Sequence, residues 1–480
     1  MTITNYEKLG AFYLGREIDP ISGEQQQSTV LYDAKDLTTH GLIIGMTGSG
    51  KTGLAVALIE EAIIDGIPVL AIDPKGDLGN LFLSFPRLQA SDFSPWVDPV
   101  SASHQGTTPE EFAEATAQQW QQGLAHWGQD GSRIQDYIDA ADRQLYTPGS
   151  RSGRPLSLLS MLSLPKQAIL NDDEALRDRI EAAVSGLLAL LDVEADPLTS
   201  PEHILLSLLF ERSWRQGTSL DLAALIMQMQ NPPVQRVGIL ELDAFFPAKD
   251  RTAFAIRLNG LLASPGFDAW MEGDPLDAGA LLYNNEGKPR LSVVSISHLN
   301  DNERMFVVTC LLNSLINWMR SQAGSGSLRA LVYMDEIYGY LPPVANPPSK
   351  QPLLTLLKQA RAFGVGLTLA TQNPVDLDYK ALSNAGTWFL GRLQTERDKQ
   401  RVIDGLEGAG GGRFNRAEVE ALLGRLESRQ FLLHNVHEDR PVLFATRWVL
   451  NFLAGPLTRQ QIKRLNSDLC SQLLPSSANQ

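Results

Sequence analysis

Two cysteines in 480 residues, Cys310 and Cys470, exclude a disulfide framework, and neither has the C-x-x-C or His-rich setting of a structural zinc site. Basic charge is also scarce. Against 55 Asp and Glu stand 41 Lys and Arg, a net charge of −14, which excludes a general basic coat for nucleic acid and confines any DNA contact to local patches. Long apolar runs are missing: nothing approaches the ~18–20 residues of a spanning helix, and Met1–Lys8 is polar. The cytoplasm is the natural compartment, with no direct membrane insertion. What is present is 43% apolar composition, enough for one elaborated α/β domain or a domain carrying insertions.

The most specific segment is Gly45-Met46-Thr47-Gly48-Ser49-Gly50-Lys51-Thr52, a complete G-x-x-x-x-G-K-[ST] loop between the apolar run Leu42–Ile44 and the helix-forming stretch Leu54–Glu60. Gly45, Gly48 and Gly50 let backbone N–H groups of the loop, with Thr47 and Ser49, curl around a polyphosphate. Lys51 supplies a point charge to the outer phosphates, and the Thr52 hydroxyl suits Mg²⁺. The helix N-terminus adds partial positive charge. ATP and Mg²⁺ are the cofactors this pattern predicts.

Short apolar, β-branched runs then mark an interrupted parallel sheet. Pro68–Ile72 ends in Asp73-Pro74-Lys75-Gly76-Asp77; Arg290–Ile296, Ala330–Met334, Gly366–Ala370 and Trp388–Leu390 follow, with a hairpin over Gln430–Val436 and Pro441–Trp448. Residues 1–40 read as a β lead-in forming an edge hairpin. The core occupies 41–100 and 143–160, a helical insertion 101–142, a larger helical insertion 161–285, the second part of the core 286–470, and a disordered tail 471–480. Leucine-rich stripes such as Ile180, Val184 and Leu187 read as core packing. His434 and His437 read as a solvated hairpin, without a third ligand nearby.

Strand ends are where α/β sites form. Asp335, after Ala330–Met334, is placed to hold the Mg²⁺ shell, and Glu336 to orient and deprotonate water. Gln372, after the next strand, suits sensing of the γ-phosphate or is a turn residue before Pro374. Arg361 and Arg392 read either as solvated arginines or as site residues. Lys75 reads either as a phosphate contact or as part of a self-bonded loop.

Together these segments resemble the HerA/FtsK superfamily of P-loop motors, which includes DNA translocases, helicases and conjugative coupling ATPases. The likeness rests on the P-loop (Walker A), Ala71–Asp77, Tyr333-Met334-Asp335-Glu336 as Walker B, and Leu369-Ala370-Thr371-Gln372 as the sensor strand. It implies a RecA-like P-loop NTPase sheet with all-helical insertions, an ATP hydrolase, and assembly as a homo-hexamer. Arg361, eleven residues before Gln372, matches the position from which such motors supply an arginine finger to a neighbour. Arg392 and Asp398 lie in a segment similar to the family's post-sensor region. Two features depart from the pattern: no arginine lies in Asp36–His40, and the N-terminal region is smaller than a full β-barrel.

The function implied is a ring ATPase that moves duplex DNA, with Arg392–Arg401 and Arg413–Arg429 as local basic contacts. The other reading is an assembly or adaptor ATPase that loads a nuclease, secretion or defence effector. A small-molecule kinase is disfavoured, because an Asp-Glu pair beside a glutamine sensor suits water activation better than transfer to a metabolite.

Overall fold

The computed structural model describes residues 6–193, 195–264, 266–410 and 416–473. Arg413, Gly411-Gly412 of the glycine-rich loop, the side chain of Cys470 and the tail Pro475–Gln480 lie outside the described residues.

An eleven-stranded mixed sheet organises the chain. In chain order its strands are β1 (Ala11–Ile18), β2 (Gln25–Asp33), β3 (Gly41–Ile44), β4 (Val69–Asp73), β5 (Asp142–Tyr146), β6 (Arg290–Ser295), β7 (Ala330–Met334), β8 (Val365–Thr371), β9 (Thr387–Leu390), β10 (Gln430–Asn435) and β11 (Val442–Thr446). Their spatial order is β2-β1-β11-β10-β9-β3-β8-β7-β4-β6-β5. From β9 to β5 neighbouring strands are parallel. From β9 outward through β10, β11, β1 and β2 they are antiparallel. The N-terminal hairpin therefore finishes one edge of the main sheet.

Apolar residues on successive strand positions feed two separate cores, as expected of a sheet covered on both faces. Leu42 and Ile44 of β3, Leu70 and Ile72 of β4, and Val332 and Met334 of β7 enter one core. Ile43, Val69, Ala71, Leu331 and Tyr333 enter the other. The second core is covered by α1 (Lys51–Ile64), α2 (Pro109–His126) and α3 (Gly131–Ala140). Thr108 starts α2 with a reciprocal cap: its side chain accepts from Glu111 N, and Glu111 accepts from Thr108 N.

The first core is covered by the larger insertion and the helices after it: α4 (Asp173–Leu190), α5 (Pro201–Arg215), α6 (Leu222–Gln230), α7 (Ala248–Ala263), α8 (Asp301–Arg320) and α9 (Lys350–Gln359). Ile180, Val184, Leu187 and Leu188 are buried there. The insertion is helical apart from two small ribbons, Leu156–Ser157 with Asp274–Pro275 and Arg236–Val237 with Leu240–Glu241. Cys310, on α8, is buried against Met161.

A buried ion-pair network ties the last strand to α1. Arg447, fully buried, donates to Glu60 at 2.8 Å, Glu61 at 2.7 Å and Tyr13 O at 2.8 Å, while Arg133 donates to Glu61 at 2.8 Å and Glu7 at 2.6 Å. Burial opposes ionisation of Glu61, but the guanidiniums of Arg447 and Arg133 outweigh it and hold the carboxyl below its ordinary range.

Candidate nucleotide site

The parallel register brings three strand ends level. β8 lies between β3 and β7, pairing Thr371 with Ile44 and Leu369 with Met334. The residues that follow, Gly45–Thr52, Asp335-Glu336 and Gln372, therefore leave the same edge of the sheet, where α/β folds bind ligands.

The loop turns through left-handed Gly48 (φ 79°) and Gly50 (φ 99°), conformations that side chains disfavour, before α1 starts at Lys51. Lys51 is 8% exposed and donates to Gly45 O at 2.5 Å; burial lowers its pKa against the opposing pull of Glu336 and Asp335. Thr47 donates to Gln372 Oε1 at 2.5 Å, and Gln372 donates in turn to Glu336. Glu336 sits at φ 41°, a strained backbone for a non-glycine residue and one that marks functional positions. Asp335 is 5% exposed and accepts from the Tyr333 hydroxyl at 3.2 Å; burial, then Glu336, raises its pKa.

Asp73, at the end of β4, accepts from the N–H groups of Lys75, Gly76 and Leu78 at 3.2, 2.7 and 3.0 Å. Burial pushes its carboxyl up to about 7. Asp73 thus builds its own loop, while Lys75, paired with Asp77 at 3.3 Å, lines the cavity. The self-bonded loop is thus built by Asp73, and Lys75 reaches the cavity beside it.

A cavity of about 360 Å³ joins these groups, lined by Thr47, Gly48, Gly50, Lys51 and Thr52 together with Lys75, Asp335, Glu336 and Gln372. Arg361 is not among its walls. It is exposed in the turn Ala360–Phe363 just before β8, at the opposite ends of the strands, about 23 Å away by the rise of seven strand residues. Arg392 stands beside the loop: its carbonyl accepts from Met46 N at 2.8 Å, and its Nε approaches Met46 Sδ at 3.3 Å. Asp398 is engaged in a capping exchange with Thr395, accepting from its hydroxyl at 2.7 Å.

Sequence reasoning missed Trp120, Arg429 and Trp448, which also line the cavity. Arg429 had read as a basic residue for DNA; its backbone N–H instead donates to Ser49 O at 2.8 Å, against the phosphate loop. The one local signal is its left-handed backbone, φ 65°, which no sequence pattern announces.

Mg²⁺ fits this donor set. Asp335 and Glu336 offer carboxylate oxygens and Thr52 a hydroxyl to the same cavity, the hard oxygen donors that Mg²⁺ prefers. Among the described residues no cluster of three His, Cys, Asp or Glu could hold a metal alone, so phosphate oxygens would complete the shell, as is usual for Mg²⁺. No described helix is long and apolar enough to cross a membrane.

Residues 14–185 match the family model of the Helicase HerA central domain, DUF87. No curated protein sequence matches the chain. VirB4 of Thermoanaerobacter pseudethanolicus is similar in fold over 92% of this chain and 98% of its own, at 12% identity and a TM-score of 0.54. The bacterial conjugative coupling protein TrwB, in its unbound monoclinic form, is similar over 95% of this chain and 98% of its own, at 12% identity and a TM-score of 0.51. TrwB in complex with ADP and Mg²⁺ is similar at 12% identity over the same shares, with a TM-score of 0.50. The HerA model thus covers the segment that carries the P-loop, and the sheet around it shares the α/β P-loop NTPase fold of VirB4 and TrwB.

Proposed function

We propose that the chain is a ring-forming ATPase, a homo-hexamer that couples ATP hydrolysis to movement of duplex DNA. The observation that carries this reading is the separation of Arg361 from the phosphate site. Lys51, Thr52, Asp335, Glu336 and Gln372 meet at one edge of the sheet, and Arg361 stands exposed at the other. A second copy is needed to bring Arg361 to a phosphate.

Lys51 and the loop N–H groups bind the phosphates. Thr52 and Asp335 would hold Mg²⁺, which supplies charge neutralisation at the outer phosphates. Glu336 takes the proton of the attacking water, and Gln372, already bonded to Glu336, orients that water. Because Gln372 also ties Glu336 to Thr47, a γ-phosphate must displace this bridge before water is aligned. Arg361 of a neighbouring copy would supply the last positive charge as the transition state forms.

The adaptor reading draws support from the insertion, where α4, α8 and Pro342–Pro352 enclose a groove of about 1160 Å³ carrying Glu181, Asp192 and Asp196. One experiment separates the two: ATPase rate of the native assembly with and without duplex DNA, beside its native mass. A six-fold mass and a several-fold rise in kcat with DNA are expected of the motor. A ring with no response to DNA, whose rate rises instead with a protein partner, would establish the adaptor.

A further inference from the structure

The cavity is larger than the phosphate motifs require. Past the loop it continues along a wall built from two distant segments, Gln119 and Trp120 on α2 and Arg429, Trp448, Val449 and Leu453 around the last hairpin. Where the loop end is polar, this end is aromatic and aliphatic. Trp120 and Trp448 meet edge to face, with ring centroids 5.2 Å apart and planes at 73°. Gly123 allows the approach, since a Cβ there would stand 2.6 Å from the Trp448 indole. Packing therefore fixes the wall in advance of any ligand.

Arg429 joins the two ends. The hydroxyl of Ser428 donates to Gly48 O at 2.9 Å, and Arg429 N donates to Ser49 O at 2.8 Å, so this corner is part of the loop's support. The Arg429 guanidinium lies 4.8 Å over the Trp448 ring and donates to Thr446 O at 3.2 Å. No carboxylate pairs with it among the described ion pairs, and burial lowers its pKa. A half-buried guanidinium beside a phosphate loop, stacked on an indole and lacking an acid, is short of one negative charge.

We propose that Arg429 and the Trp120–Trp448 wall form the nucleoside end of this cavity, Arg429 meeting a phosphate oxygen and the wall packing on base and sugar. The proposal rests on the reading of the P-loop cavity as a nucleotide site. It also assigns α2, which belongs to the first insertion, a part in ligand binding. The wall has few accessible groups for reading a base edge: Trp120 Nε1 and Trp448 Nε1 have no partner among the described residues, but both atoms are themselves buried. Thr446 O takes Arg429, Trp448 O takes Gln129 at 2.9 Å and Arg447 at 3.0 Å, and the Arg447 guanidinium is engaged by Glu60 and Glu61. Gln119 adds an exposed amide with no side-chain hydrogen bond among the described residues. Stacking without edge contacts tolerates any base with a flat face, so ATP and GTP bind with similar affinity.

Calorimetric titration of the full chain with ATP, GTP and inorganic tripolyphosphate tests this, using wild type, Trp120→Leu, Trp120→Phe, Arg429→Gln and Lys51→Ala. Trp120→Leu is expected to weaken ATP and GTP about tenfold and leave tripolyphosphate unchanged, while Trp120→Phe, which keeps a ring, restores most of the loss. Arg429→Gln is expected to weaken all three. The wall is overturned if Trp120→Leu leaves ATP unchanged or weakens tripolyphosphate equally, or if Trp120→Phe binds no better than Trp120→Leu. Base tolerance is overturned by a difference above about tenfold between ATP and GTP. The role of Arg429 is overturned if its variant binds all three as wild type does. If Lys51→Ala leaves all three unchanged, the underlying P-loop reading fails, a result distinct from failure of the wall.

Discussion

Lys51 and Glu336 line the same cavity, but in the proposed mechanism their charges serve different stages of the reaction. Lys51 neutralises a phosphate that is already bound, whereas Glu336 acts only once a water is present to lose a proton. Lys51→Ala is therefore expected to weaken ATP binding at least tenfold, and Glu336→Gln to keep affinity near wild type while lowering kcat about a hundredfold or more. Equilibrium binding and steady-state rates on both variants check the split; equal loss of binding in the two would contradict it. These residues were legible in the sequence because each lies within a few positions of a strand end, and a motif records such local placement. Trp120, Arg429 and Trp448 were not, since they reach the cavity from segments more than three hundred residues apart at the extremes, brought together by packing alone.

At the scale of elements, the apolar strand runs and the helical stripes predicted the sheet and its coverings, because burial on both faces leaves a readable pattern. Its order was not readable: that β3 lies between β8 and β9, with β4 beyond β7, is decided by crossover connections and not by any one segment. The Arg447 network was equally hidden, since Glu60 and Glu61 look like surface charge in the sequence of α1. Arg447→Met is expected to destabilise by about 3–5 kcal/mol, because it strands buried carboxylate. The sign of its pH dependence follows from Glu61. A carboxyl held low by its partners contributes stability above its unfolded value, and that contribution is lost as pH falls through the folded one. The difference in Tm between wild type and variant should thus hold near neutral pH and narrow as pH falls below the ordinary glutamate value. A constant difference would mean that Glu61 is not the group involved.

For the whole molecule, the separation of Arg361 from its own P-loop makes cooperation between copies testable. Doping Arg361→Ala into wild type at fixed total protein should reduce ATPase more than in proportion to the mutant fraction, since one defective finger disables a neighbour with intact motifs. A straight line would remove the trans role. Family resemblance suggested this arginine; the structure places it in the turn before β8, at the end of the strand away from its own P-loop.

The buried anchorage of α1 has a mechanical consequence. The helix that carries the phosphate loop at its N-terminus is clamped farther along at Glu60 and Glu61 to β1, α3 and the segment after β11. A phosphate pulling on Lys51 therefore pulls on a fixed post. Displacement goes where the restraint is a single chain of side-chain bonds, Thr47 to Gln372 to Glu336, and these lead into β8 and β7. β8 in turn runs from the turn bearing Arg361 to Gln372, so that turn and the phosphate loop's side-chain bridge stand at the two ends of one strand.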